Sequence, residues 1–321
     1  TLMTFFSMSL YGRWGKLLKS PNTSQVISIF MLVMVVMFIG TRPVSGAYFV
    51  DMASYSTSYE KLLNEPFFFD WNVDNLIWDN LFIWMASQGI LFSTWLIIVA
   101  SAYFGLMYFA CRKLFGNDVL IAFVTYLGAF STFSYGTNGM KAGVAASVFL
   151  IAMAYRDKLW LSIPIALLSL GFHHSMIMVI AAYFVVLLLK KPKYYFVVWI
   201  ISLIFAALGI TYFQTYFAGF TTGHGSEYLL ATEDTTEAHI GFRPVFILYS
   251  AVPVYLGYRI LYKYMFRSMF YSFILRLYLM TNSLWMLCMY ASFNNRIAYL
   301  SWFFYPIVLI YPFISREKNL L

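Results

Sequence analysis

The sequence predicts an all-α, polytopic transmembrane bundle of about ten spans, and three observations carry that prediction. Hydrophobic residues make up 62% of the chain and charged residues only 11%, whereas soluble domains run near half apolar and a quarter charged. Mean hydropathy is +0.74, which excludes a soluble globule, a disordered tail and a coiled coil. The apolar residues also fall into runs approaching the ~20 residues that cross a bilayer as a helix. The expectation is a single integral membrane domain over residues 1–321, with one more span truncated before Thr1.

Polar punctuation places the elements in order. The opening apolar run, Leu2 to Tyr11, is too short to span, and no small-residue cleavage site follows it. The tail of a helix begun upstream is therefore preferred over an interfacial or signal-like segment. Span 25–41 lies between Lys19 and Arg42, and span 81–111 between Asp79 and Arg112-Lys113. Span 119–134 follows Asp118, 139–155 ends at Arg156, and 159–172 ends at His173-His174. Span 174–189 ends at Lys190-Lys191, and 194–212 follows Lys193. After a polar stretch, 244–262 ends at Lys263, 269–291 follows Arg267, and 296–314 precedes Arg316. Cys111 and Cys288 sit in or beside apolar runs without metal-like spacing, so neither a disulfide framework nor a zinc site is expected.

Orientation follows from the short loops. The cations flanking alternate span ends, from Arg13, Lys16 and Lys19 through to Arg316 and Lys318, all fall on one side, which is assigned to the cytoplasm. Arg42, Lys61, Lys141, Arg243 and Arg296 lie opposite, and Arg276 lies inside a span. Acids show the reverse bias, with only Asp118, Asp157 and Glu317 on the basic side. The net charge of +8 is thus mostly topology, and no nucleic-acid partner is expected. Two long loops lie on the outer side. Residues 42–80 contain Phe67-Phe68-Phe69-Asp70-Trp71 and Leu76-Ile77-Trp78, a composition that suits an interfacial or re-entrant helix. Residues 213–243 form a polar loop that includes Gly223-His224-Gly225-Ser226.

Ionisable groups at span ends are costly in a bilayer and mark function. Four outer turns carry them: Gly40-Thr41-Arg42-Pro43 with Asp51 and Tyr55 beyond; Tyr135 to Lys141; Gly171-Phe172-His173-His174-Ser175; and Gly241-Phe242-Arg243-Pro244 with Asn294 to Tyr299. Arg42, Lys141, Arg243 and Arg296 share one depth on the side where cations are selected against. Arginine forks match phosphate oxygens. First helical turns, which hold Lys141, Arg243 and Arg296, favour anions. A phosphate or pyrophosphate at the outer leaflet is the expected ligand. The plainer reading makes each cation a snorkelling anchor, which is the reading given to the cytoplasmic ones and to Arg276. His173 and His174, as neighbours about 100° apart on a helix, are not expected to share one cavity. A histidine there serves as general base, polar ligand or helix tie.

No nucleotide loop, H-E-x-x-H or G-x-S-x-G motif occurs, and the spans hold no aspartate for intramembrane proteolysis or proton coupling. The elements Gly40-Thr41-Arg42-Pro43 with Asp51-x-x-x-Tyr55, Asn138-Gly139-Met140-Lys141, His173-His174-Ser175, Gly241-Phe242-Arg243 and Asn295-Arg296-Ile297-Ala298 resemble, in that order, the EpsG-like family. The resemblance covers residues 40 to 312. The family has Arg-Gln where Lys141-Ala142 stands, so the charge is kept and the amide is lost. Its His-x-Ser pattern matches His173 with Ser175.

The resemblance implies a metal-independent, cofactor-free Wzy-type polymerase with a GT-C-like fold, in the bacterial inner membrane with its active site facing the periplasm. It implies substrates that are oligosaccharide repeat units on undecaprenyl pyrophosphate, with membrane lipids, a chain-length regulator and a flippase as partners. The products are surface polysaccharides such as O-antigen, capsule or exopolysaccharide. In that chemistry Arg42, Lys141, Arg243 and Arg296 meet the leaving pyrophosphate. Asp51 and His173 activate or orient the attacking hydroxyl. Tyr55, Tyr135, Asn138, His174, Ser175, Asn295 and Tyr299 position the substrate. The alternatives are transfer of the glycan to another acceptor, a lipid-linked oligosaccharide flippase, and a membrane acyltransferase.

Overall fold

A computed structural model describes residues 20–218, 241–292 and 294–314. The apolar run at Leu2–Tyr11 and most of the loop at 213–243, with its Gly223–Ser226 segment, lie outside the described residues. Among the described residues every regular element is helical. Four stretches of the described residues are long and apolar enough to cross a membrane: Asn22–Gly40, Phe92–Leu127, Pro244–Lys263 and Asn294–Ile314. Four shorter apolar helices accompany them, and the chain is a multi-pass membrane protein. It divides into two compact units, Thr1–Ile177 and Met178–Leu321.

In the first unit, α1 (Pro21–Gly40) begins with proline in its first turn, where the missing N–H costs nothing. Its two faces differ in size and polarity. Val26, Phe30, Met34 and Phe38 are exposed at four-residue spacing, while Ser24, Ser28, Val35 and Ile39 are buried. That is the inside-out pattern of a membrane helix, with small residues at the packed interface. Ser24 Oγ donates to the Asn117 carbonyl at 2.7 Å, and α1 packs on α4 (Phe92–Phe115) and α5 (Val119–Leu127). Helix α4 also packs on α7 (Met140–Ala154), which packs on α8 (Leu159–Phe172).

The expected loop at 42–80 holds α2 (Val50–Lys61) and the start of α3 (Leu76–Ser87). Both dock on α4 through rings. Tyr59 lies 4.9 Å from Phe82 and 5.5 Å from Phe92, and Trp78 lies 5.4 Å from Trp95. Phe68, Phe69 and Trp71 between the two helices stay exposed.

The run expected as one span over 81–111 is two helices. The chain breaks at Gly89, whose φ of +69° is a left-handed conformation that glycine adopts without strain. The run at 119–134 likewise parts into α5 and α6 (Phe130–Thr137). The Thr132 hydroxyl crosses that break to the Tyr126 carbonyl at 2.6 Å, and Tyr103 OH donates to the Thr132 carbonyl at 3.1 Å.

In the second unit, α9 (Met176–Leu188) precedes α10 (Pro192–Ala207), α11 (Tyr212–Ala218) and α12 (Pro244–Tyr258). Helix α12 runs into a π-helical turn at Arg259–Lys263, and α13 (Met269–Leu287), α14 (Asn294–Trp302) and α15 (Tyr305–Ile314) follow. The expected span over 296–314 is thus divided at Phe303-Phe304. Helix α13 is the hub, packing on α10, α12, α14 and α15. Asn282 sits fully buried at its centre. Its carbonyl accepts from Trp199 Nε1 at 2.8 Å, and its amide donates to Ser250 Oγ at 3.1 Å and Ser301 Oγ at 3.0 Å. Four helices therefore meet on one side chain.

Arg276, expected as structural, is held inside this unit. Its Nη1 donates to the carbonyls of Val186 and Leu189, both at 2.8 Å, and its Nε to Ser272 at 3.0 Å. Tyr195 OH donates to the Leu189 carbonyl at 2.7 Å. Together they satisfy carbonyls that the end of α9 leaves without helical partners.

Candidate functional site

The expected site residues fall at helix ends in both units. In the first, Arg42 leaves the C-terminus of α1 and turns inward. Its Nη2 donates to the Thr137 carbonyl at 2.9 Å and lies 3.2 Å from Met140 Sδ, and its Nη1 bonds the Ile39 carbonyl. The guanidinium also stands 5.8 Å from the Phe49 ring centroid. The fork expected to grip phosphate is thus committed to backbone carbonyls. Its evident task is to fasten the 137–140 turn, and so Lys141, to the end of α1. Burial lowers its pKa to about 10, which leaves it charged at neutral pH.

Lys141 stands in the first turn of α7, where α7 meets α3. Its Nζ pairs with Asp79 Oδ1 at 2.9 Å, both side chains being about one-fifth exposed. The Tyr55 ring lies 5.7 Å from the same ammonium. Asp51 and Tyr55 are four residues apart in α2, on one face of that helix, and both are half-buried. Tyr135 is buried beneath the turn: a Cβ added to Gly139 would stand 3.1 Å from its ring, and one added to Gly143 3.0 Å from its Cβ. Its ring supports the Asn138–Lys141 backbone. Asn138, half-buried, ends α6.

The histidines differ from their helical expectation. His173 leaves α8 in an extended conformation, φ −158° and ψ 121°, and the two rings stack with centroids 5.1 Å apart and planes 13° apart. They therefore lie side by side rather than 100° apart around a helix. Ser175 fixes His173 from both its backbone and its hydroxyl. The Ser175 N–H donates to His173 Nδ1 at 3.2 Å, and Ser175 Oγ lies 2.7 Å from the same nitrogen. A backbone N–H can only donate, so Nδ1 is the acceptor and the neutral ring carries its proton on Nε2. In this arrangement His173 offers a donor, which suits an oxygen anion better than it suits deprotonating a hydroxyl.

Two residues absent from the sequence-derived site join these groups. Asp79 Oδ2 accepts from the Asn75 backbone N–H at 3.0 Å and from its amide at 3.2 Å, and Asn75 Oδ1 accepts from the His174 N–H at 3.1 Å. The available signal was weak: an asparagine and an aspartate four apart, opening an apolar helix.

In the second unit, Arg243 caps the N-terminus of α12, with its guanidinium 5.1 Å from the Phe246 ring centroid. Arg296 is exposed in the first turn of α14. One residue gathers both starts. The Arg243 N–H points to Met289 Sδ at 3.4 Å, and the Asn294 amide donates to the Met289 carbonyl at 2.8 Å. Two helix N-termini, each carrying an arginine, are thereby brought together within this unit. Asn295 Nδ2 lies 3.5 Å from Tyr299 OH, and Tyr299 is buried against Trp302.

The described residues thus form a many-helix membrane protein that carries cationic, hydroxyl and imidazole groups at its helix ends. Family comparison makes this specific: residues 25–321 match the EpsG family, and the chain belongs to it. EpsG-like proteins are Wzy-type polymerases, so the chain is a membrane polysaccharide polymerase. No curated protein and no solved structure matches it.

Proposed function

We propose that this protein joins oligosaccharide repeat units carried on undecaprenyl pyrophosphate, at the periplasmic face of the bacterial inner membrane. The non-reducing-end hydroxyl of one unit attacks the anomeric carbon of the growing chain. The anomeric carbon–oxygen bond to the pyrophosphate breaks, lipid pyrophosphate leaves with the electron pair, and the hydroxyl proton passes to a base. The observation that carries the proposal is the pair of arginine-bearing helix starts hooked on Met289 in an EpsG-family chain. Such N-termini combine a helix dipole and a guanidinium against the charge that grows on the leaving group.

Arg243 and Arg296 are assigned to the pyrophosphate. Lys141, in the first unit, is assigned to an anionic oxygen of the substrate through the ammonium protons that Asp79 does not take. Asp51 is assigned to the attacking hydroxyl and His173 Nε2 to an oxygen of the substrate. Tyr55, Asn138, His174, Ser175, Asn295 and Tyr299 shape the surroundings, with Tyr135 supporting one turn from below. Arg42 acts by holding Lys141. A flippase reading gains no support from the polar groups inside α13: Asn282 is engaged by Trp199, Ser250 and Ser301, and Arg276 by carbonyls. They bind helices together rather than lining a path.

The test is incubation of the purified protein with lipid-linked repeat units extracted from cells of the source organism that lack this gene. The products are resolved as a size ladder. A ladder with stoichiometric release of lipid pyrophosphate is expected. Units left at their starting size, with the lipid still attached, would refute polymerisation.

A further inference from the structure

We infer that Asn75 and Asp79, at the start of α3, are positioning residues that couple Lys141 to the His173–Ser175 turn. The inference rests on the polymerase reading for its catalytic consequence and on the geometry alone for the coupling itself. Lys141 opens α7, and the histidines sit between α8 and α9, about thirty residues further along. Both are tied to the first turn of α3 by hydrogen bonds in series.

The series is ordered by what each group can do. The Asp79 carboxylate only accepts, so the Asn75 NH2 faces it, and Asn75 Oδ1 is left to accept from the His174 N–H. Both ends of the Asn75 amide are therefore assigned without ambiguity, and the residue is 4% exposed, where an unmatched end would be costly. Asp79 is used as fully, one oxygen on the Lys141 ammonium and the other on Asn75. Capping the start of α3 would need the bond to the Asn75 N–H alone. The remaining bonds leave the helix for two different neighbours.

Packing reinforces the tie. A Cβ on Gly171, two residues before His173, would stand 2.5 Å from Ile77 Cδ1, so α8 lies directly on α3 between Asn75 and Asp79. A shift of α3 moves the ammonium and the imidazole as one body. Lys141 is thereby held in one direction, and the Nε2–H of His173 is held at a set place relative to it. Displacements of about 1 Å can cost about 100-fold in a reaction that depends on such placement.

The experiment compares wild type, Asp79→Asn, Asn75→Ser, Lys141→Gln and the double variant Asp79→Asn with Lys141→Gln, using the extracted lipid-linked units. Serine still caps a helix but is too short to reach His174. Asp79→Asn and Asn75→Ser are each expected to lower kcat for elongation about 10- to 100-fold, with KM changed less. The double variant should be no worse than its worse single parent, because the two side chains act as one unit. Variants that only lose thermal stability, with kcat per folded molecule intact and effects that multiply, would overturn the inference. A second readout needs no activity: the His174 backbone amide resonance of histidine-labelled protein in nanodiscs. It should move in Asp79→Asn, although the His174 N–H bonds to Asn75 and not to residue 79; an unmoved resonance overturns the coupling. If wild type yields no ladder, the polymerase reading fails, and the amide resonance still decides the coupling.

Discussion

Replacing Asn282 with leucine tests whether the second unit is held by its polar centre or by apolar packing. The volumes are similar, so the change removes three hydrogen bonds, to Trp199, Ser250 and Ser301, at 2.8–3.1 Å. Between membrane helices such bonds average about 0.6 kcal/mol and reach about 1.7, so the two serine contacts together contribute about 1 kcal/mol. Ser250 keeps Trp302 Nε1 at 2.8 Å as a partner, and Ser301 keeps the Ala298 carbonyl. Trp199 does not: its indole N–H is stranded in the interior, at a cost of about 1–2 kcal/mol. The expected loss is therefore about 2–3 kcal/mol, read by tryptophan fluorescence during unfolding in mixed micelles. Elongation should fall too, because Ser250 and Ser301 belong to the helices whose first turns present Arg243 and Arg296. Adding Trp199→Phe should cost less than its effect in wild type. A variant within about 0.5 kcal/mol of wild type, in the range of a neutral surface change, would refute the polar hub.

Arg243→Ala and Arg296→Ala should each lower polymer formation by at least about 100-fold while the protein remains folded, since on the proposed reading each removes a donor assigned to the developing charge. Normal chain-length ladders from both would remove the leaving-group assignment. Arg42→Lys should lower activity and loosen the Lys141 turn, because an ammonium cannot span the Ile39 and Thr137 carbonyls as a fork does. The pH profile should shift as well. Burial lowers Arg42 to about 10, which leaves it largely charged over pH 6–9, and its charge is lost as pH rises through about 10. The same burial acts on an ammonium that ordinarily titrates near ~10.4, so lysine there should lose its charge at a lower pH than arginine. An alkaline limb in Arg42→Lys unmoved from wild type would contradict this. Gly40→Ala should destabilise by about 1–3 kcal/mol, because its Cβ would stand 2.9 Å from the Ile97 backbone Cα, which cannot move aside as a side chain would. A thermal midpoint equal to wild type would show that α1 and α4 separate freely.

Hydropathy found the helices because lipid demands long apolar runs, and polar punctuation located their ends at Gly40-Thr41, Arg243-Pro244 and Asn294-Asn295. It merged α3 with α4 and α5 with α6, because those breaks are made by backbone geometry inside apolar sequence. Gly89 reads like any helical glycine until its φ is known. The site divides along similar lines. Arg42, Lys141, Arg243 and Arg296 were legible as cations on the wrong side of a charge bias. What each one faces was not legible, since the partners are distant in sequence: Asp79 lies 62 residues before Lys141, and Thr137 lies 95 after Arg42. Asn75 and Asn282 are uncharged and Asp79 is one acid among many on its side of the charge bias, so a charge census does not single them out. Arg42 is the complementary case: its excess charge is conspicuous while its carbonyl partners are invisible in sequence. A search for unexplained charge therefore favours groups that can meet the substrate and passes over those that hold them. In a bundle where every buried polar atom needs a partner, the holders are found by asking where each hydrogen bond of each exceptional cation ends. Here that question leads from Lys141 through Asp79 and Asn75 to the histidine turn.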